Sequence, residues 1–154
     1  MSSLNRLMCT STDPEKFATF FYGLYDDGER TLTYVNAGHP APVIVRDGAG
    51  KGRAAFERLP STGMVLGILP DTRYTANTVQ LAPGDTLLIF SDGVTEAESP
   101  AGDLFEEERL LETICNLADQ DETTLSRRLD EKLAAFVANA PQTDDITTIV
   151  ARIG

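Results

Sequence analysis

The chain has 154 residues, of which 42% are hydrophobic and 24% charged, a composition typical of a packed globular protein and not of a disordered or fibrous one. Its 24 acidic and 13 basic residues give a formal net charge of -11, which argues against nucleic acid or an anionic membrane surface as a partner. We therefore predict one domain over residues 1–154.

The cysteine content and the apolar runs indicate the cellular compartment of the chain. Its two cysteines, Cys9 and Cys115, are far apart in patterns that read as helical, so neither a disulfide framework nor a thiolate metal site is indicated. The apolar runs are too short to span a bilayer. These features predict a cytoplasmic protein without a membrane segment.

The first predicted element is a short helix. Leu4, Leu7 and Met8 fall on one face at spacings of three and four residues, and Ser3 is a candidate N-cap. Asp13, before a proline, marks its end.

Three strands are predicted next. The aromatic-rich stretch 17–25 and the alternating stretch 31–36 should pair as a hairpin around the turn at Asp27. A third strand is predicted at 41–46, and a surface loop is predicted after Asp47.

The central part of the chain predicts an interior strand. A strand at 75–81 leads through the turn residues 82–85 into the stretch 86–90, which is apolar on both faces. A strand of this kind is covered on both sides, which requires a second sheet or a layer of helices.

Two helices and a last strand complete the chain. Asp103, with Glu106 three residues later, is the predicted start of the first helix, and residues 139–141 end the second. The predicted apolar faces consist of Phe105, Leu110, Leu111, Ile114 and Leu117 in the first helix and of Leu125, Leu129, Leu133, Phe136 and Val137 in the second. With a closing strand at 147–153, the order predicts an α+β fold and not alternating βαβ units.

Ser91-Asp92-Gly93 is the first candidate site. The most apolar strand of the chain delivers Asp92 to its C-terminal end, and Gly93 permits a tight turn and a close approach of the backbone. The alternative is an ordinary turn, because the Asp-Gly pairs at Asp27 and Asp47 resemble simple hairpin turns.

The pair Asp144-Asp145, just before the closing strand, is the second candidate. Taken alone, it reads as a solvent-facing strand boundary. If the closing strand pairs antiparallel with 86–90, however, Asp92 and Asp144 lie at the same end of the sheet. Converging carboxylate oxygens suit Mg²⁺ or Mn²⁺ and phosphoryl chemistry.

Other candidate residues carry weaker signals. His39 is the only histidine and precedes a proline, so we interpret it as a structural turn residue, with a place in the lining of the site as the weaker alternative. With one histidine, a nucleophile triad built on Ser91 or Cys115 is a weak alternative. The glycine-containing stretch 63–70 lacks the Lys-Ser/Thr of a phosphate loop and predicts a packed connection.

Six phrases in order resemble a known family. They are FATFFYG from Phe17, YVNAGHP from Tyr34, LGIL from Leu66, LAPGD from Leu81, SDGVTEA from Ser91 and DDIT from Asp144. The resemblance that they carry extends over essentially the whole chain. They resemble the SpoIIE/RsbU subgroup of the metal-dependent (PPM-type) serine/threonine phosphatases.

The resemblance implies a fold, an activity and site residues. The implied fold is a β-sandwich flanked by helices in αββα layers. The implied site holds two Mn²⁺ or Mg²⁺ ions, and a metal-bound water attacks phosphoserine or phosphothreonine without a catalytic side-chain nucleophile. By motif, Asp92 and Asp144 match metal ligands, and Asp145 matches a less constrained neighbour.

The chain also departs from the family pattern. The family's Gly-Asp-x-x-Gly block, with further metal contacts, should precede the opening helix and is not found in these residues. We therefore expect an N-terminally truncated or degenerate domain with low activity alone, and an exposed sheet edge that favours a homodimer. The implied substrate is a phosphorylated regulatory protein of the anti-sigma factor antagonist type. The alternative is a phosphatase-like module that only docks such a partner.

Overall fold

The computed structural model describes residues 1–47, 56–117 and 120–154, which fall into two units. The first unit comprises Met1–Ala41 and Leu59–Leu81, and the second comprises Pro42–Arg58 and Ala82–Gly154. The prediction of one domain stays a prediction. No helix in the described part of the chain combines the length and the apolar character needed to cross a bilayer.

Helices and strands alternate irregularly along the chain. In chain order they are α1 (Ser2–Ser11), β1 (Phe20–Asp26), β2 (Thr31–Ala37), β3 (Val43–Val45), β4 (Phe56–Arg58), β5 (Asn77–Gln80), β6 (Thr86–Phe90), α2 (Asp92–Thr95), α3 (Glu106–Asn116), α4 (Glu122–Val137) and β7 (Thr148–Arg152). Antiparallel sheets with separate helices make this an α+β fold, as the sequence predicted.

The first unit contains the predicted hairpin. β1 pairs antiparallel with β2, from Phe20 opposite Ala37 to Asp26 opposite Thr31, and β5 pairs with the other side of β2. The prediction placed the first strand three residues too early. In β2, Leu32 and Tyr34 are buried while their neighbours are half-buried, which confirms the alternation read from the sequence.

The predicted opening helix is confirmed as α1, but its apolar side chains do not form a buried face. Leu4 and Leu7 are 41% and 60% exposed, and Ser3 does not cap the helix, because Met1 occupies the N-cap position without a side-chain bond. The fully buried residue is Asn5 instead. Its amide donates to the Leu69 carbonyl (2.8 Å) and accepts from the Gly67 N–H (2.9 Å), so it satisfies backbone groups that would otherwise lack partners. These two hydrogen bonds also hold the connection predicted at 63–70.

The second unit contains the interior strand. Its sheet has the order β4-β3-β6-β7, so β6 pairs on both sides, as predicted. Leu88 and Phe90 of β6 are buried and face the core, while Leu87 and Ile89 are half-buried. β4 was missed from the sequence, and the loop predicted after Asp47 lies outside the described residues.

A buried carboxylate anchors the turn before β6. Asp85 is 2% exposed and accepts from Arg46 Nη1 (2.6 Å), the Asp47 N–H (3.0 Å) and the Ala82 N–H (2.9 Å). Burial lowers the pKa of Arg46, but the hydrogen bonds and charges of Glu57 and Asp85 outweigh it and raise the pKa above its ordinary value. The charged network therefore ties the start of β6 to the end of β3.

The two long helices cover the sheet of the second unit. The predicted apolar faces of α3 and α4 are largely confirmed, because most of the predicted positions are buried. The exceptions are Leu117, Phe136 and Val137, which are partly buried. α3 begins at Glu106, later than predicted, and has no side-chain cap, whereas Asp121 caps α4 through the Thr124 N–H. The buried core consists of Val43, Val45, Leu88, Phe90, Val94, Ala97, Phe105, Leu110, Leu111, Ile114, Leu125, Leu129 and Leu133.

Candidate metal centre

Asp92 lies where β6 leaves the core. β6 ends at Phe90, and Asp92 opens the single helical turn α2. This excludes the simple hairpin turn that was the alternative for this Asp-Gly pair, since the chain does not fold back into a paired strand. Asp92 is exposed, and its Oδ1 accepts the Gly93 N–H (3.0 Å), while Gly93 and Val94 are buried beneath it.

Ser91 joins the two candidate segments. Its N–H donates to the Thr147 carbonyl (3.0 Å), and its Oγ accepts the Thr147 N–H (3.0 Å). The same Oγ donates to the Asp145 carbonyl (2.9 Å). These three bonds continue the β6–β7 pairing past Phe90 opposite Thr148, so the end of one strand is held against the start of the other.

Gly93 leaves no room for a side chain. A Cβ built on it would overlap the Asp145 carbonyl oxygen and lie 3.0 Å from the Asp145 carbonyl carbon and 3.5 Å from that of Asp144. The α2 backbone therefore packs directly on the Asp144-Asp145 backbone. The prediction that Asp92 and Asp144 share one end of the sheet is thus confirmed, whereas their role as metal ligands stays a prediction.

The Asp144-Asp145 segment is held by local bonds. The Asp145 N–H donates to Asp144 Oδ1 (2.7 Å), and the Gln142 amide donates to the Asp144 carbonyl (2.7 Å). Both aspartates are exposed. In each candidate ligand, Oδ1 thus accepts a hydrogen bond from the backbone N–H of the next residue, which orients the carboxylate.

The charges around these aspartates are of one sign. The sequence has no Lys or Arg at 74–108 or at 133–151, and within the described residues Asp92, Asp144 and Asp145 form no ion pair. Carboxylate oxygens without a cationic partner are the type of ligand that Mg²⁺ and Mn²⁺ prefer. No group of three or more His, Cys, Asp or Glu residues that could hold a metal occurs in the described ranges.

His39 is held by its own turn in the first unit. Its N–H donates to Asn36 Oδ1 (2.9 Å), the Asn36 amide donates to its carbonyl (3.1 Å), and its Nδ1 lies 3.3 Å from Thr19 Oγ1. These contacts agree with the structural interpretation from the sequence. Sequence reasoning missed Asn36, although a polar residue at a buried position of an alternating strand was the available signal.

Sequence reasoning also missed what Ser91 does. The motif drew attention to Asp92, and Ser91 was considered only as a weak nucleophile candidate. Its hydroxyl instead bridges two backbone groups of the opposite segment. The signal was its position directly between an interior strand and an Asp-Gly pair, but the bonding partners depend on the β6–β7 register.

The comparisons with known proteins agree on one family. The family model for Stage II sporulation protein E (SpoIIE) matches residues 1–154. The chain is 35% identical over 138 residues to Protein IcfG of Synechocystis sp., covering 89% of this chain and 21% of that protein. It is 33% identical over 102 residues to Phosphoserine phosphatase RsbU of Bacillus subtilis, covering 66% of this chain and 29% of that protein.

Solved structures agree on the fold. The SiaA-PP2C domain of Pseudomonas aeruginosa superimposes with a TM-score of 0.81 at 22% identity, covering 97% of this chain and 58% of that one. A SpoIIE structure from Bacillus subtilis, containing the PP2C phosphatase domain and a regulatory fragment, has a TM-score of 0.75 at 20% identity, covering 97% and 42%. The chain spans less than a third of the length of IcfG or RsbU. With a family model matched over its whole length and the fold of PP2C phosphatase domains, the chain belongs to the SpoIIE family, in the SpoIIE/RsbU-type subgroup of the PPM phosphatases.

Proposed function

We propose that this chain carries part of a metal-dependent phosphatase centre that hydrolyses phosphoserine or phosphothreonine on a bacterial regulatory protein. The observation that supports this most is the junction of the two acidic motifs, where Ser91 and Gly93 hold Asp92 beside Asp144. The 33% identity to a protein named a phosphoserine phosphatase supports the substrate class. The regulatory protein, of the anti-sigma factor antagonist type, and a cytoplasmic setting are part of the proposal.

The proposed roles follow from the geometry of the second unit. Asp92 and Asp144 would hold Mn²⁺ or Mg²⁺ through carboxylate oxygens left free by their single backbone bonds. Such a cation, when bound, supplies Lewis acidity and charge neutralisation for phosphoryl transfer. Ser91 and Gly93 act as positioning residues, since they fix the two ligand segments against each other.

The same charges explain why a cation is needed. A phosphate group approaching Asp92, Asp144 and Asp145 meets only negative side chains nearby in the sequence. Repulsion between these groups and the phosphate is offset when a divalent cation lies between them. The chain itself provides no Lys or Arg in the two segments that form the centre.

Metal binding tests the assignment of the ligands. We expect Asp92→Asn and Asp144→Asn each to weaken Mn²⁺ binding by about tenfold or more, because each removes one charged oxygen ligand. Asp27→Asn is the matched control, since Asp27 is also an exposed residue of an Asp-Gly pair but lies in the β1–β2 turn. Isothermal titration calorimetry measures all four proteins. Unchanged binding in Asp92→Asn, or an equal loss in Asp27→Asn, would contradict the assignment.

Hydrolysis tests the reaction. Phosphate release from a phosphoserine peptide, expected to be slow for this chain alone, should require Mn²⁺ or Mg²⁺. It should fall by a further factor of about 10²–10³ in Asp92→Asn, the usual cost of losing one catalytic electrostatic group. Release that persists in this variant, or that ignores chelation of the metal, would exclude the proposed centre. Binding of a phosphorylated partner without any metal-dependent release would favour the docking-module alternative.

A further inference from the structure

A cavity adjoins the candidate metal centre within the second unit. It has a volume of about 320 Å³ and is lined by Glu98, Ser99, Pro100, Asn139, Ala140 and Pro141. A narrower cavity of about 10 Å³ shares Glu98 and Pro141 with it and is lined also by Gly93 and Asp144. The two cavities therefore share wall residues, and the narrower one is lined by the segments that carry the candidate ligands.

One wall of the cavity is fixed by its own hydrogen bonds. Ser99 Oγ accepts the N–H groups of Ala101 (3.3 Å) and Asp103 (3.1 Å), and the Ser99 N–H donates to the Asp103 carbonyl (2.8 Å). Glu98 pairs with Leu104 as an isolated antiparallel bridge. This wall is a closed turn with satisfied backbone groups, so the Glu98 backbone has a pre-organised support. Glu98 Oε1 lies over the same turn, 3.5 Å from a Cβ built on Gly102.

The other wall is the segment that follows α4. Ala138 leaves the helix with a positive φ of 49° while its N–H still donates to the Ala134 carbonyl (2.9 Å), and the Ala140 N–H donates to the Val137 carbonyl (2.9 Å). The chain then passes through Pro141 to Gln142, whose amide holds the Asp144 carbonyl. This wall is thus continuous in sequence with the candidate ligand Asp144.

Glu98 is the charged residue among the cavity-lining residues. It is exposed, and within the ranges that the structure describes its carboxylate forms no ion pair. A volume of about 320 Å³ is at the lower end of ligand pockets, which run from about 300 to 1,000 Å³, and suits one or two extended side chains better than a folded domain. An unpaired carboxylate in such a cavity complements a cationic side chain.

We infer that this cavity binds the stretch of a substrate protein flanking its phosphorylated residue, and that Glu98 selects a Lys or Arg in that stretch. The inference rests on the proposed phosphatase function, which places the phosphorylated residue at Asp92 and Asp144. Glu98 is then a specificity-determining residue, because the phosphate lies at the metal centre while a basic side chain a few residues away reaches the adjoining cavity.

Equilibrium binding of short peptides tests this inference without turnover. Fluorescence polarisation in the presence of Mn²⁺ uses peptides in which a non-hydrolysable phosphonate analogue replaces phosphoserine. It compares peptides that carry Arg within three residues on either side of the analogue with peptides that carry Glu there. We expect at least one Arg peptide to bind about three- to tenfold more tightly than its Glu counterpart, the range for an exposed charge pair and its reversal. The preference should shrink as salt rises.

Variants of one position assign the preference to Glu98. Glu98→Gln should abolish most of it, and Glu98→Arg should invert it in favour of the Glu peptide. Glu112→Gln, an exposed acidic residue of α3 outside the cavity-lining set, is the matched control and should leave it unchanged. Circular dichroism of each variant checks that the fold is retained.

The outcomes separate this inference from the function on which it rests. A preference that survives both Glu98 variants, that falls equally in Glu112→Gln, or that is the same for unphosphorylated peptides overturns the inference. Loss of metal-dependent hydrolysis with an intact Glu98-dependent preference would overturn the catalytic proposal and leave the recognition surface standing. Metal-dependent hydrolysis without any peptide preference would overturn the inference about Glu98 and leave the catalytic proposal standing.

Discussion

Gly93 determines how closely α2 approaches the Asp144-Asp145 backbone. Alanine favours helical backbone more than glycine does, so local propensity alone would favour Ala in the single turn of α2. The packing of the second unit opposes this, because a Cβ there overlaps the Asp145 carbonyl oxygen. A single hydrogen atom in place of a methyl group therefore allows Asp92 and Asp144 to share one end of the sheet.

We expect Gly93→Ala to destabilise the chain by about 1–3 kcal/mol, the usual cost of an overpacked contact, and to weaken Mn²⁺ binding, because the Asp144-Asp145 backbone must move away. Urea unfolding measures the first effect and Mn²⁺ titration the second. Gly28→Ala is the control, since its Cβ would only touch Asp26 Oδ1 at 3.4 Å. Equal behaviour of the two variants would show that the close approach at Gly93 is unimportant.

At the scale of elements, the caps of the two long helices differ. α3 begins without a side-chain cap, whereas Asp121 at the start of α4 accepts both the N–H (2.8 Å) and the hydroxyl (2.8 Å) of Thr124. The hydrogen bond from the Thr124 N–H has the largest effect, and that from the Thr124 hydroxyl the next largest. Both lower the pKa of Asp121 below its ordinary value of 3.8. Asp121 is exposed, so solvent screens its charge.

This cap predicts a dependence of stability on pH. The carboxylate of Asp121 stabilises α4 fully above the unfolded pKa of 3.8, and this contribution is lost as the pH falls below 3.8 through the lowered folded pKa. Asp121→Asn keeps a capping oxygen but does not titrate, so its melting temperature should depend less on pH in this acid window. Thermal unfolding monitored by circular dichroism measures it. Glu122→Gln, which removes a neighbouring charge without removing a cap, should behave as the unchanged chain does.

At the scale of the whole molecule, β1 is an exposed sheet edge. In the part of the chain that the structure describes, β1 pairs only with β2, and Tyr22 and Leu24 are 55% and 60% exposed on one face of it. An edge strand with apolar side chains and no lysine offers unpaired backbone groups to another chain. The homodimer expected from the sequence has this strand as its candidate contact.

We predict self-association at high protein concentration and a marked reduction of it in Leu24→Lys, because a charged residue on an edge strand opposes pairing between chains. Size-exclusion chromatography with light scattering measures the mass across a concentration series. Ile68→Lys is the control, since it removes an apolar side chain that is 43% exposed but lies outside the strands. A monomer at every concentration would contradict the prediction, and equal effects of both variants would move the contact away from β1.

The sequence by itself determined the order of the elements other than β4 and α2, and it placed Asp92 and Asp144 at one end of a sheet. Hydrophobic periodicity depends only on side-chain spacing, so the interior strand β6 and the apolar faces of α3 and α4 were readable, and antiparallel pairing then placed the two aspartates at one sheet end. The tertiary structure decided the burial of Asn5, the hydroxyl bridge of Ser91 and the cavity beside Glu98. Each of these depends on the register and distance between segments far apart in sequence, which local spacing does not encode.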